Sequence, residues 1–256
     1  IYMKILVRMP CYGGVICVET AQSLLRLQAV FQQNKIDFQY EFLTSESLIS
    51  RGRNTIVAKF MSDASFTHLL FVDADLMFNC DAVIKMLKAD KEIIGCPYPK
   101  KKYNWEKVKK HGYSEKNLPR FTDINYNLQG GRTISTGSII PVKDIPTGFM
   151  LIKKSLISNM MMCYPDRQYK NNIAGMEKSL EPFFYDLFGT GVVNGIYLSE
   201  DYYFCHLVKE MGVDLYLETG FTFGHIGREV FFGNLALQLK DGSDDLNEDK
   251  LLLKGN

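Results

Sequence analysis

The stretch His68-Leu69-Leu70-Phe71-Val72-Asp73-Ala74-Asp75 decides the fold. Its first five residues form a compact apolar run, which is typical of a central strand buried on both faces of a parallel sheet. Two carboxylates follow at once, and strand alternation places Asp73 and Asp75 on one side of the chain with Ala74 on the other. Because buried carboxylates are costly without a cation, the stretch predicts either a site for a hard divalent cation or an acidic loop in which Asp75 caps the next helix.

Strand and helix signals alternate on both sides of this stretch. Apolar periodicity predicts strands at 4–9, 38–42, 68–72, 92–95, 148–153 and 214–217, and helices at 19–31, 81–87 and 199–211, with a further helix capped by Ser50. The first strand is expected to end at Pro10. This order predicts an α/β fold with a mainly parallel central sheet flanked by helices. Right-handed crossovers place the carboxyl ends of parallel strands along one edge, where ligands bind in such sheets.

Composition excludes several classes of protein. The chain has 256 residues, 46% hydrophobic and 23% charged, with a formal net charge of +1, which predicts a single globular domain over 1–256. No basic helix with interleaved aromatics is present, so we expect no nucleic-acid partner. The cysteines form no Cys-x-x-Cys pair, which argues against structural zinc and favours reduced thiols in the cytoplasm. No run approaches the roughly 20 apolar residues of a membrane span, so we expect no transmembrane segment.

Two further segments carry candidate catalytic groups. In Gly224-His225-Ile226-Gly227, flanking glycines would let His225 approach a metal closely; the alternative is a turn histidine that hydrogen-bonds backbone. In Ser199-Glu200-Asp201, Ser199 fits a helix N-cap, and the helix dipole favours acids in the first turn. That structural explanation is sufficient by itself. The functional alternative is that Glu200 or Asp201 faces a cleft as a general base.

Two segments are candidates for binding a nucleotide. Arg51 and Arg53 lie near the start of a predicted helix, where guanidinium groups and backbone N–H groups suit an anion, although two solvated arginines are the usual alternative. The loop after the first strand contains Tyr12 and Gly13-Gly14, and it matches neither a Walker loop nor a dinucleotide fingerprint. Tyr12 either stacks on a nucleobase or is an ordinary loop aromatic.

Taken together and in order, these segments resemble a GT-A glycosyltransferase over nearly the whole chain. The pieces that carry the resemblance are Arg8-Met9-Pro10, Ser50-Arg51-Gly52-Arg53-Asn54, Phe71-Val72-Asp73-Ala74-Asp75, Gly95-Cys96-Pro97-Tyr98-Pro99, Thr147-Gly148-Phe149-Met150-Leu151-Ile152, Ser199-Glu200-Asp201 and Gly224-His225-Ile226-Gly227. The chain is also similar to small glycosyltransferases of large DNA viruses that infect algae, which would place it in the host cytoplasm. The resemblance implies a GT-A fold: a Rossmann-like nucleotide-sugar-binding half (1–99), an acceptor-binding and catalytic half (100–230) and a tail (231–256).

The resemblance also implies roles for individual residues. Asp73, Asp75 and His225 would hold a divalent metal, Mn²⁺ or Mg²⁺, that grips the diphosphate of a nucleotide-sugar. The implied nucleotide-sugar site comprises Pro10, Tyr12, Arg51, Asn54, Asp73, Ala74, Asp75, Thr147 and Gly148, the last two lying beneath the sugar and acceptor. Asp201 would be the base if the enzyme inverts, with Glu200 as its neighbour or substitute; a retaining enzyme would need no base there.

The predicted function is therefore metal-dependent sugar transfer from a nucleotide-sugar to a hydroxyl of a glycan or glycoprotein acceptor. By analogy the base is uridine and the sugar a hexose or a pentose such as xylose. The segment 100–141, with Tyr103, Trp105 and His111, is expected to recognise the acceptor. Two alternatives remain. One is a non-catalytic nucleotide- or sugar-binding module, and the other is a metal-dependent nucleotidyltransferase, which should carry a phosphate loop or a third acid near the two aspartates.

Overall fold

The computed structural model describes residues 2–44, 46–111, 114, 118–124, 139–173 and 175–241. The side chain of His111, the glycine pair Gly130-Gly131 and the tail 242–256 lie outside the described residues. No helix in this described part is long and apolar enough to cross a membrane.

Strands and helices alternate through the first half, in the predicted order. The strands are β1 (Lys4–Cys11), β2 (Asp37–Thr44), β3 (His68–Val72), β4 (Leu76–Met77), β5 (Ile93–Gly95), β6 (Pro99–Tyr103), β7 (Thr122–Ile124), β8 (Ile139–Val142), β9 (Phe149–Lys153), β10 (Gly191–Val193), β11 (Ile196–Leu198), β12 (Leu215–Glu218), β13 (Phe223–Ile226) and β14 (Val230–Gly233). The helices are α1 (Val18–Gln33), α2 (Ile49–Ser62), α3 (Cys80–Ala89), α4 (Trp105–His111), α5 (Lys154–Cys163), α6 (Glu200–Glu210) and α7 (Leu235–Asp241).

The central sheet has the strand order β2-β1-β3-β9-β5-β12-β8. Strands β2, β1, β3, β5 and β12 run in one direction, while β9 and β8 are antiparallel to their neighbours. The chain thus has a mixed α/β, Rossmann-like fold with a mainly parallel sheet flanked by helices, as predicted. The β4-β13-β14 sheet lies beyond the carboxyl end of β3 and brings His225 back beside the two aspartates.

Strand β3 is buried on both faces, as its apolar run predicts. Leu69 and Phe71 belong to one hydrophobic cluster, which α2, α5 and α6 cover. Leu70 and Val72 belong to a second cluster, which α1 and α3 cover. Burial on both sides fixes β3 in the middle of the sheet, and the position of its carboxyl end follows from that.

Two predicted boundaries were wrong. Strand β1 continues through Pro10 to Cys11; β3 pairs with β1 only as far as Arg8, so the missing N–H of Pro10 costs no bond on that side. Helix α2 begins at Ile49, so Ser50 lies inside it and does not cap it. Instead, the Glu46 carboxylate accepts a hydrogen bond from the backbone N–H of Leu48, at 2.9 Å, just before the helix starts.

Candidate active site

A turn holds the two aspartates at the end of β3. Strand geometry stops at Val72, so alternation does not set the directions of Asp73 and Asp75 as the sequence argument assumed. Three distant segments anchor the turn through its backbone. The N–H of Asp73 donates to Gly148 (2.8 Å), the N–H of Ile226 donates to the carbonyl of Asp75 (2.8 Å), and the N–H of Cys17 donates to the carbonyl of Ala74 (2.9 Å). The backbone of the turn that carries both carboxylates is therefore held in place.

Asp75 lies beside His225 and Lys101. Its Oδ2 is 3.5 Å from Nε2 of His225 and 2.5 Å from Nζ of Lys101. The Nδ1 of His225 lies 2.8 Å from the carbonyl oxygen of Pro99, which can only accept, so Nδ1 carries the proton. In the neutral ring, Nε2 then presents its lone pair towards Asp75. A carbonyl that accepts from the other ring nitrogen is the usual way in which a metal-binding histidine is oriented.

The charge of Asp75 is strongly favoured. Burial alone would raise the pKa of Asp75, but hydrogen bonds and charge from the His225 ring in its protonated form, in which Nε2–H donates to Oδ2, and from Lys101 outweigh burial and lower the pKa to about 2. Because this folded-state pKa lies below the ordinary value of 3.8, the contribution to stability is present above pH 3.8 and is lost as the pH falls towards 2.

An acid titration tests this arrangement. In metal-free buffer we expect the free energy of unfolding of the wild type to fall, relative to that of Asp75→Asn, as the pH drops from about 4 to about 2. Chemical denaturation at several pH values measures the difference. A difference that stays constant across this window would mean that the Asp75 carboxylate does not have these partners in solution.

Asp73 belongs to a second charged group, centred on Arg53. The Arg53 guanidinium is buried, with 3% of the residue exposed. Its Nη2 donates to Oδ1 of Asp73 at 3.1 Å, and its Nε lies 3.5 Å from Oε1 of Glu200. Burial would lower the pKa of Arg53, but the charges of Asp73 and Glu200 outweigh burial and raise it. Arg53 thus ties the aspartate turn to the start of α6, and its Nη1 has no hydrogen-bond partner among the described residues.

Gly148 and Tyr98 complete this group. The backbone N–H of Gly148 donates to Oη of Tyr98 at 3.1 Å. A Cβ at position 148 would lie 2.3 Å from that oxygen and 2.4 Å from Oδ2 of Asp73, so only glycine fits there. Burial, and then the charge of Asp73, raise the pKa of Tyr98 well above its ordinary value, so the phenol stays protonated.

The side chains of Glu200 and Asp201, at the start of α6, have different partners. Ser199 occupies the N-cap position as predicted, but its hydroxyl donates to Oδ1 of Asp201 and accepts no hydrogen bond from the helix backbone. The N–H of Tyr202 donates to the same oxygen at 2.9 Å. One oxygen of Asp201 is therefore held within the helix terminus, whereas Glu200 points towards Arg53.

Two residues predicted to line the nucleotide site point elsewhere. Arg51 makes a two-pronged salt bridge to Glu46, with N–O distances of 2.8 and 2.9 Å. The Asn54 side chain is buried: its amide donates to Asp186, and its oxygen accepts from the backbone N–H groups of Leu187 and Phe188. The Asn54 side chain holds the 186–188 segment against α2, and its role in nucleotide binding stays a prediction. Arg53, not Arg51, reaches the acidic cluster.

Three further residues predicted to bind the nucleotide-sugar have no described contact with the acidic cluster of Asp73, Asp75 and Glu200. They are Pro10, Tyr12 and Thr147. Tyr12 is 77% exposed at the start of a single helical turn in which Gly13 and Gly14 take positive φ angles of 67° and 70°. Pro10 is half-buried, and the buried Thr147 hydroxyl has no hydrogen-bond partner among the described residues. Their roles in binding a ligand stay predictions.

The predicted ligands fit a metal in part. Asp75 and His225 converge, while Asp73 is turned towards Arg53. Within the described residues, no three His, Cys, Asp or Glu side chains form a group able to hold a metal by themselves. Two protein ligands nevertheless suit Mg²⁺ or Mn²⁺ in a site where substrate phosphates complete the coordination. Asp75 and His225 would therefore need ligands from a bound molecule to complete a metal site.

Comparisons with known proteins give structural similarity only. No protein-family model and no curated protein matches the sequence. Similar solved structures include A197 from STIV, at 14% identity over 91% of this chain and 95% of that one, with a TM-score of 0.47. A 4-diphosphocytidyl-2C-methyl-D-erythritol synthase from Anaerococcus prevotii matches at 11% identity over 67% of this chain and 80% of its own, with a TM-score of 0.35. A Bacillus anthracis protein provisionally assigned as a glucose-1-phosphate thymidylyltransferase and solved with sucrose matches at 11% identity over 99% and 96%, with a TM-score of 0.37. None of these similarities carries a substrate over to this chain.

Proposed function

We propose that this chain is a metal-dependent glycosyltransferase, which moves a sugar from a nucleotide-sugar, with uridine as its base, to a hydroxyl of a glycan acceptor. One observation carries the proposal. Asp75, His225 and Lys101 meet beside Asp73, Arg53 and Glu200 at the carboxyl end of β3, although their segments lie far apart in the sequence. That edge is where ligands bind in open α/β sheets.

Asp75 and His225 are the residues that would hold the metal. When bound, the metal neutralises the charge that develops on the leaving diphosphate. Nε2 of His225 and Oδ2 of Asp75 are both lone-pair donors 3.5 Å apart, which is a pairing that a cation satisfies. The buried Arg53 would hold Asp73 and Glu200 in place.

Two carboxylates are candidates for the base of an inverting reaction. Oδ1 of Asp201 accepts from Ser199 and from the N–H of Tyr202, so we assign the other oxygen to the acceptor proton. The Oε1 atom of Glu200 lies 3.5 Å from Nε of the buried Arg53, so this carboxylate is committed to an ion pair. This difference supports Asp201 as the base and Glu200 as a positioning residue. A retaining enzyme would need neither in this role.

A thermal-shift panel of nucleotide-sugars, each with and without Mn²⁺, tests the proposal. A ligand at about 100 times its Kd stabilises the folded state by about 2.7 kcal/mol, which raises the Tm of a chain of this size by about 5–10 °C. We expect one UDP-sugar to give this shift only when Mn²⁺ is present, and UDP to appear as product with an acceptor. No shift with any nucleotide, with or without metal, would contradict the proposal.

A nucleotidyltransferase is the second candidate, and one observation favours it. Arg53 links Asp73 to Glu200, so the third acid that such an enzyme needs is close to the aspartate turn. The products separate the two functions. Incubation with a nucleoside triphosphate and a sugar phosphate would release pyrophosphate from a nucleotidyltransferase, whereas a glycosyltransferase releases a nucleoside diphosphate from a nucleotide-sugar.

A further inference from the structure

Lys101 occupies the same carboxylate oxygen that faces His225. Its Nζ is 2.5 Å from Oδ2 of Asp75, and Nε2 of His225 is 3.5 Å from that oxygen. An ammonium group and a metal ion cannot both use the same lone pairs at full strength, and they repel each other. Lys101 and a divalent cation therefore compete for Asp75.

The two cations of the site differ in their freedom to leave it. The side chain of Arg53 is 4% exposed and lies over the ring of Phe71, with its Cζ 5.4 Å from the ring centroid. The side chain of Lys101 is 40% exposed and extends from β6, so its ammonium can leave Asp75 without opening the core. Arg53 is a fixed charge, and Lys101 is an exchangeable one.

Gly227 gives independent support for the position of Lys101. A Cβ at Gly227 would lie 3.2 Å from Cδ and 3.6 Å from Cγ of Lys101. The backbone of Gly227 is not in the left-handed region, so its conformation does not require glycine. The glycine instead leaves room for the lysine stem to cross beside His225 and reach Asp75.

We infer that Lys101 is an internal substitute for the divalent cation. Its ammonium neutralises Asp75 in the free protein and moves to the diphosphate of the donor when the metal binds. This inference rests on the proposed function and adds a residue to it. The net charge of the site stays the same, because the two positive charges of the metal offset the two negative charges of the nucleotide-sugar diphosphate and the ammonium is retained. No bond other than hydrogen bonds and metal–ligand contacts changes.

Replacing Lys101 with methionine should affect the two ligands in opposite directions. Without its competitor, Mn²⁺ alone should bind Lys101→Met about tenfold more tightly than the wild type, because a unit charge close to the ion is gone. UDP, measured at saturating Mn²⁺, should bind at least about fivefold more weakly, because the diphosphate loses a charged partner. Calorimetric titration of the full chain measures both affinities, with Mn²⁺ and UDP as the probes.

Two variants serve as controls. Lys102 is a matched neighbour, because its ammonium pairs with Asp123 at 2.8 Å, so Lys102→Met should leave both affinities at the wild-type values. Lys101→Arg keeps the charge and should stay near the wild type for Mn²⁺. If the wild type binds both probes and Lys101→Met does not tighten Mn²⁺ binding, the inference is wrong while the proposed function stands. A wild type that binds neither Mn²⁺ nor UDP overturns the proposed function and this inference together.

Discussion

Arg53→Ala is expected to lower the free energy of unfolding by about 3–5 kcal/mol, because it leaves two carboxylates in a buried setting without their shared cation. The guanidinium lies 3.1 Å from Asp73 and 3.5 Å from Glu200, and neither carboxylate has more than a quarter of its side chain exposed. Denaturant unfolding in metal-free buffer measures the loss. Nucleotide binding should fall as well, because the aspartate turn loses one of its anchors.

Arg51→Ala is the matched control for this prediction. Arg51 lies on the same helix and also pairs with a carboxylate, but its side chain is 39% exposed, so its loss should cost at most about 1 kcal/mol. A double variant, Arg53→Ala with Asp73→Asn, should recover part of the loss, because it removes one of the two unpaired charges. Equal losses for Arg51→Ala and Arg53→Ala would contradict the central place of Arg53.

The fold follows from local patterns that a sequence displays. Strand β3 has no polar residue after His68, which is typical of a strand buried on both faces, and its place in the middle of the sheet follows. The alternating strand and helix signals of the first hundred residues give the parallel strands β1, β2, β3 and β5. Strand β9 was predicted as a strand, but its antiparallel insertion between β3 and β5 was not, because the sequence of 96–148 carries no periodic signal.

The choice between Arg51 and Arg53 shows why part of the site could not be predicted. Residues two positions apart on a helix point about 200° apart, so only one of these arginines can face the sheet. The apolar spacing of α2 does not say which one, because every residue from Gly52 to Ala58 is buried and the helix is therefore covered on more than one face. The contacts of Tyr98 with Gly148 and of Lys101 with Asp75 could not be predicted for another reason, because these pairs are distant in sequence.

The convergence of Asp75 and His225 could be foreseen only by combining motifs. An Asp-x-Asp turn after a buried strand and a histidine between glycines are each common, and neither fixes the distance between them. The short β4-β13 pairing supplies that distance, because it sets His225 opposite Leu76, the residue after Asp75. Backbone pairing of this kind has no signature in a two-residue strand.

Asp201→Asn is expected to reduce the turnover of sugar transfer by about 10²–10⁴-fold, the usual contribution of a positioned general base. Asparagine keeps the size of the side chain and can still accept from Ser199 and from the N–H of Tyr202, so the start of α6 should stay intact. Binding of UDP and Mn²⁺ should be unchanged, because neither is assigned to Asp201. Release of UDP in the presence of an acceptor measures kcat, and calorimetry measures binding.

The variant Glu200→Gln distinguishes the role of Glu200 from that of Asp201. Because Glu200 is assigned to hold Arg53, its amide variant should lower kcat by less than about tenfold while reducing the stability of the fold. A larger loss of kcat in Glu200→Gln than in Asp201→Asn would transfer the role of base to Glu200. Retention of turnover in both variants would argue for a retaining reaction, in which the donor phosphate and not a carboxylate takes the acceptor proton, and the acids of α6 would then serve only the helix terminus and Arg53.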